Sequence, residues 1–214
     1  VIRFIIEDFP APLGPSNPIT CPFEISRDIL SKIKWFFFSS TSHVYSFSKK
    51  KISERAKTKP SSKYGLTKLK AENYISNKFK KNHIPFCIGR IFSFTNKKQT
   101  KSFVIPSIIN KAIKAKKKIK FNNVNHFRDF LCVYDICKAI KILMKKKSTG
   151  IFNIASGKPI LISNIIKLVF NKYKKNYLIN NKTIGNSLIA NNNKIKKLNW
   201  KPSKNINSII EELL

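Results

Sequence analysis

At 214 residues, 42% of them hydrophobic, the chain is long enough to bury a core and too apolar to be a disordered segment. Its formal net charge is +33, yet only Arg3, Arg27, Arg55, Arg90 and Arg128 are arginine. The other basic residues are lysines spread along the chain, so composition favours a solvated lysine surface over a sequence-specific nucleic-acid footprint, which relies on clustered arginine forks.

Taken in order, Val1–Ile6 reads as a strand, and Pro10, Pro12, Pro15 and Pro18 then impose an extended or turning segment. A helix is predicted over 25–34. The aromatic run Trp35-Phe36-Phe37-Phe38 reads as a buried strand that stops on Ser39-Ser40-Thr41. In open α/β sheets the C-terminal ends of strands are where ligand chemistry gathers. A polar loop leads to a helix over 66–80, with Leu69, Tyr74 and Ile75 inward. A second strand covers 84–92, a core-facing helix 103–115, and a short strand 119–121. Asp135 fits a helix N-cap, as does Ser163 ahead of an amphipathic helix over 160–173. The Asn/Lys-rich stretch 174–193 reads as loop, and 206–214 as a final helix.

Cys21, Cys87, Cys132 and Cys137 form no C-x-x-C pair and have no metal-ligand spacing with His43, His83 or His126. They read as buried free thiols of a reducing compartment, with no metal site. No apolar run is long enough for a transmembrane helix, and the beginning of the sequence lacks a signal pattern. A cytoplasmic protein without a membrane partner is expected.

Tyr64 and Lys68 are four residues apart, so on a helix they share one face. A phenol beside an ammonium is an acid/base unit in which the positive charge should lower the phenol's pKa. In a lysine-rich chain Tyr-x-x-x-Lys is weak alone; order sharpens it. Ser39-Ser40-Thr41, Val44-Tyr45, Glu54, Pro60, Tyr64-Gly65, Lys68 and Glu72 follow one another as in the extended short-chain dehydrogenase/reductases. Among these the chain most resembles the NAD-dependent epimerase/dehydratase family, which acts on nucleotide sugars. Arg90, Arg128-Asp129-Phe130, Asn153-Ile154-Ala155-Ser156-Gly157 and Leu198-Asn199-Trp200-Lys201-Pro202 extend the resemblance over about residues 25–214. Ser46, Ser93 and Asn199 depart from the family's usual glycine, asparagine and glycine; asparagine tolerates positive φ, so the last turn should survive.

The resemblance implies an α/β fold, the C-terminal part of a Rossmann-like parallel sheet with a smaller mixed α/β substrate part. Residues 1–92 would form a truncated NAD(P)-binding part and 93–214 the substrate-binding part, with interleaved elements. It implies catalytic Thr41, Tyr64 and Lys68, a cofactor NAD or NADP held by Ser39, Tyr64 and Lys68, and a nucleotide-sugar substrate held by Thr41, Ser93 and Arg128. Asn153 should satisfy neighbouring backbone. A homodimer is compatible with it. None of the six glycines lies in a G-x-x-G-x-x-G or G-x-G-x-x-G setting, the turn that brings a pyrophosphate onto a helix N-terminus. The expectation is therefore a fragment, split product or degenerate relative that lacks roughly 80–100 residues, on the arithmetic of ~30 per βαβ unit. Such a chain should not bind NAD(P) usefully by itself. Ser42-His43 stand where dehydratases of the family carry an Asp-Glu pair, which argues for epimerase over dehydratase, with a 4-keto-sugar reductase as runner-up. A basic nucleic-acid-binding protein is the alternative class.

Overall fold

The computed structural model describes residues 30–180, 185 and 187–214. Its elements begin with β1 (Phe36–Thr41), a 3₁₀ turn (Ser42–Val44), α1 (Lys63–Lys81), β2 (Phe86–Ile91), β3 (Ser93–Thr95) and α2 (Val104–Lys114). There follow β4 (Ile119–Asn122), β5 (Phe127–Arg128), β6 (Phe130–Cys132), α3 (Val133–Lys145) and β7 (Gly150–Ile154). The chain continues through β8 (Ile160–Leu161), α4 (Ile162–Lys172), β9 (Tyr177–Asn180), α5 (Asn193–Lys196) and α6 (Ile206–Glu211).

β1, β2 and β7 form a parallel sheet in that order. Side chains alternate between its faces, and both faces are covered, which is why β1 is apolar throughout its first half. Phe36, Phe38 and Ile88 pack with Ala71, Ile75 and Phe79 of α1. Phe37, Cys87, Phe152 and Ile154 pack with Ile136, Ala139 and Leu143 of α3. Gly89 lets Phe37 lie flat across β2: a Cβ there would come within 2.5 Å of the ring. A second core joins α2 and α4 through Ile105, Ile109, Ile165 and Val169, closed by Phe121, Phe130 and Ile210. Three two-stranded ladders surround it: β3–β6 and β4–β9 parallel, β5–β8 antiparallel.

Most predicted elements are present, with several corrections. The stretch 174–193 contains β9, which pairs in register with β4 (Ile119 with Tyr177). Asp135 is the third residue of α3, not its N-cap; Cys132 holds that position and donates its thiol to the Asp135 carboxylate at 3.3 Å. Asp135 instead holds the later chain, accepting from Ser203 N, Ser203 Oγ and Lys204 N. Trp200 Nε1 donates to its carbonyl at 3.1 Å. Ser163 is likewise inside α4, whose N-cap is Leu161 without a side-chain cap bond. Asn199 adopts φ 63°, so the positive-φ turn does survive the loss of glycine. Cys87 and Cys132 are buried free thiols, but Cys137 is exposed. The strand at 1–6, Cys21 and most of the helix at 25–34 lie outside the described residues, although Leu30 and Ser31 are helical.

Candidate functional site

At the C-terminal end of the sheet the α1-facing side turns polar. Ser40, Arg90 and Asn153 are direct neighbours across β1, β2 and β7. Polar groups buried this deeply need partners, and each has them. Glu72, from α1, accepts from Arg90 Nη2 at 2.6 Å and Arg90 Nε at 3.0 Å, and also accepts the Ser40 hydroxyl. The Arg90 guanidinium lies 4.6 Å from the centre of the Tyr45 ring. Tyr45 donates its hydroxyl to Asn153 Oδ1 at 2.8 Å, and Asn153 Nδ2 donates to Ile52 O at 2.9 Å. Glu54 closes the set by accepting from Asn153 N at 3.0 Å. Burial pushes the Tyr45 phenol up to about 12, so it holds its proton and acts as scaffold. Buried Tyr45, Glu72, Arg90 and Asn153, with half-buried Glu54, thus form one network that fixes α1 against the strand ends.

That clamp positions the next shell of residues. Thr41 ends β1 and caps the 3₁₀ turn, accepting from His43 N at 3.3 Å. Gly65 lets α1 close on this turn, since a Cβ there would lie 2.3 Å from the His43 carbonyl oxygen. Ser62 caps α1 by accepting from Gly65 N at 3.1 Å. The close approach brings the Tyr64 hydroxyl beside the Thr41 side chain, which draws the phenol's pKa downward. One turn on, Lys68 Nζ donates to Ser39 O at 3.0 Å and lies 5.2 Å from the Phe38 ring centre. Thr41, Tyr64, Lys68 and Ser39 are therefore together at one edge of the sheet.

The expected electrostatics need revision. Partial desolvation raises the Tyr64 phenol above its ordinary value although the residue is 49% exposed, against Thr41, which works downward. Lys68 is itself lowered by burial. In this arrangement partial desolvation outweighs the downward influence of Thr41 on the phenol.

Arg128, at the end of β5, donates to the Phe127 carbonyl at 2.8 Å and stacks 5.6 Å from the Phe47 ring centre. Its neighbour Asp129 is fully buried and serves the backbone, accepting from Ser156 N, Gly157 N and Ala190 N. Ser93 opens β3 opposite Phe130. His43, read from the sequence only as standing in place of an acidic pair, borders this edge of the site. It is exposed, meets the Tyr64 ring edge-on at 6.0 Å between centroids, and its pKa is lowered from 6.5 by partial desolvation against its neighbours and by the Arg128 charge. The signal available in the sequence was its place two residues after Thr41. Among the described residues no three His, Cys, Asp or Glu side chains gather as a metal set.

A family profile described as GDP-mannose 4,6 dehydratase matches residues 23–213. The chain belongs to that family. This extended short-chain dehydrogenase/reductase is 31% identical over 115 residues to an uncharacterised UDP-glucose epimerase of Bacillus subtilis, a stretch equal to 53% of this chain and 36% of that protein. Its fold matches UDP-glucuronic acid 4-epimerase from Bacillus cereus, solved with UDP-glucuronic acid and NAD, at TM-score 0.76 and 25% identity over 86% of this chain and 63% of that one. It matches the RMD protein of Pseudomonas aeruginosa, solved with NADPH, at TM-score 0.77 and 21% identity over 84% and 65%. The family member thus spans about a third of the curated relative and less than two thirds of both solved chains. Its parallel sheet, with α1 on one face and α3 on the other, is Rossmann-like.

Proposed function

We propose that this chain carries the proton-transfer and substrate-holding part of an NAD(P)-dependent nucleotide-sugar epimerase or oxidoreductase. The observation that carries this reading is the convergence of Thr41, Tyr64 and Lys68 at the sheet's C-terminal edge, where Gly65 lets α1 close on the turn after Thr41. Tyr64 is the group that gives or receives the sugar hydroxyl proton, and Thr41 orients that hydroxyl. Arg128 is suited to a diphosphate, because its guanidinium fork bonds two phosphate oxygens together. Ser93 is the further substrate contact in this reading. Residues up to 92 and residues 93–214 are proposed as the cofactor and substrate parts, with β7 returning to the first.

Tyr64, Lys68 and Ser39 fit the nicotinamide-ribose end of NAD or NADP. Lys68 Nζ is already held as a hydrogen-bond donor at the strand end, beside the phenol one helical turn away. When bound, such a cofactor supplies the hydride exchange that oxidises and re-reduces a sugar carbon. Ser42-His43, in place of an acidic pair, favours epimerisation over dehydration; Ser93 in place of asparagine keeps a 4-keto-sugar reductase as the second reading.

Two measurements test the proposal. Calorimetric titration with UDP and dTDP should show saturable binding that Arg128→Ala weakens by about 1.5–3 kcal/mol, the usual worth of a charge-assisted hydrogen bond. At millimolar NAD⁺, conversion of UDP-glucose should fall roughly 10²–10⁴-fold in Tyr64→Phe. Turnover that Tyr64→Phe leaves unchanged refutes the assignment. NAD⁺ alone is expected to show no saturable micromolar binding to the 214 residues, because none of their glycines forms a pyrophosphate turn.

A further inference from the structure

The two ends of the main sheet differ in charge. Parallel register sets Phe36 beside Phe86 and Cys87 beside Gly150, so β1, β2 and β7 all start at the end remote from Thr41. α1 and α3 run back to that end on opposite faces, joined to β2 and β7 by the short turns 82–85 and 146–149. Lys78, Lys80 and Lys81 close α1, Lys145, Lys146 and Lys147 close α3 and enter its turn, and Lys32 and Lys34 precede β1. All are exposed except half-buried Lys78. A helix C-terminus favours a cation in its last turn, but here two helix ends and a strand start pool eight lysines on one broad face.

The carboxylates are elsewhere. Among the described residues, Glu54, Glu72, Asp129 and Asp135 are bound into networks around the strand C-terminal ends and the start of α3. Glu211 and Glu212 lie at the end of α6, where Glu212 pairs with Lys204. Charge is thus segregated along the strands, and no described carboxylate neutralises the lysine end. A cleft of about 350 Å³ opens beside these lysines, between the end of α1 and the start of β7. Phe79, Ile84, Pro85 and Phe86 make its apolar part, with Lys80 and His83 among its polar lining. Trp35 stands at the same end, its Nε1 donating to Ser148 O at 2.9 Å.

Residue chemistry selects the partner. Nucleic-acid surfaces are read with arginine forks and exposed rings for base stacking. Arg55, Arg90 and Arg128 belong to none of these turns, nor do the exposed rings of Phe47, Tyr64, Phe94, Phe103 and Tyr134. Lysines are point charges that need charge density rather than fixed geometry, and an anionic bilayer surface offers that. We propose that this end of the sheet docks the protein on an anionic membrane surface, with the lysines facing the headgroups and the apolar cleft taking part of one lipid chain. The association is peripheral: among the described residues no helix is long and apolar enough to cross a membrane. The strand ends that carry Thr41 then face away from the bilayer, open to a water-soluble substrate. The proposal does not depend on the nucleotide-sugar reading.

The test is co-sedimentation of the full chain, in physiological salt, with vesicles of phosphatidylcholine alone and with about a third phosphatidylserine. Binding to the anionic vesicles and not to the neutral ones is expected. Lys80→Gln/Lys81→Gln/Lys146→Gln/Lys147→Gln should bind roughly 10²–10³-fold less, at about fivefold per lysine near such a surface. Lys97→Gln/Lys98→Gln/Lys117→Gln/Lys118→Gln carries the same net charge and should stay within about threefold of the parent, because distant charge is screened. All eight substituted lysines are exposed, so circular dichroism should match the parent in both variants. Brominated lipid should quench Trp35 emission, and Trp35→Phe should remove that quenching while buried Trp200 still emits. Vesicle binding without Trp35 quenching, equal losses in the two quartets, or no preference for phosphatidylserine overturns the proposal. Single-stranded RNA that displaces the vesicles in physiological salt overturns the lipid assignment and makes the lysine end a nucleic-acid face.

Discussion

Replacing Glu72 by alanine should cost more stability than any surface change, because it strands a buried cation. Arg90 is 4% exposed and Glu72 2%. The carboxylate takes two Arg90 donors, Nη2 at 2.6 Å and Nε at 3.0 Å, besides the Ser40 hydroxyl. Breaking a buried pair from one side costs about 3–5 kcal/mol, since the remaining charge has lost its counterion without regaining water. In a domain of this size each kcal/mol moves the melting temperature roughly 2–4 °C, so a drop of about 6–20 °C is expected. Guanidinium unfolding with linear extrapolation, alongside calorimetry, gives the number. Removing both charges in Glu72→Ala/Arg90→Met should recover at least about 2 kcal/mol of the loss, because the desolvation penalty disappears with the pair. A Glu72→Ala loss under about 1 kcal/mol, or a double variant no more stable than the single, would refute the clamp.

Gly65→Ala puts a methyl 2.3 Å from the His43 carbonyl and must push α1 off the turn; it should lower stability by about 1–3 kcal/mol and lower UDP-glucose conversion by separating Tyr64 from Thr41. Cys87 and Tyr45 are both raised to about 12 by burial. Between their ordinary values of 9.0 and 10.0 and that limit, the unfolded chain releases protons that the folded chain keeps, so stability should fall as pH rises through this range. Lys68, lowered from 10.5, opposes this in part below its ordinary value; unfolding curves at pH 8, 9 and 10 measure the balance. Iodoacetamide at pH 8 should label exposed Cys137 ahead of buried Cys87 and Cys132, as read by peptide mass spectrometry. Duplex DNA should bind weakly at low salt and release by physiological salt; sequence-preferring binding there would revive the nucleic-acid alternative.

The sequence made the individual letters of the site legible before their grammar. Tyr64 and Lys68 follow from helical spacing, and Thr41 from the end of an aromatic strand. The network of Tyr45, Glu72, Arg90 and Asn153 does not, because it depends on strand register: Ser40, Arg90 and Asn153 are more than fifty residues apart in part, yet adjacent across three strands. β9 was hidden for a related reason. Tyr177–Asn180 has little pattern of its own and becomes a strand by pairing with β4. Asp135 stands three positions, and Ser163 two positions, beyond the true N-cap, since a carboxylate or hydroxyl near a helix start looks like a cap whichever residue of the first turn it occupies. The direction of the Tyr64 shift also lay beyond sequence spacing. It is decided by how much water α1 and the 3₁₀ turn exclude, which only packing reveals.

The β4–β9 ladder carries a consequence for the order of assembly. Its strands are parallel, so no tight turn can join them, and the whole stretch 123–176 must be gathered before the first rung forms. Within that stretch α3, β7 and α4 can each condense on nearer neighbours first. Closing a long loop gives up chain entropy before any pairing compensates it. This ladder is therefore a late event in folding and an early one in local opening, and its amides should exchange with solvent well ahead of those in β2, the middle strand of the main sheet.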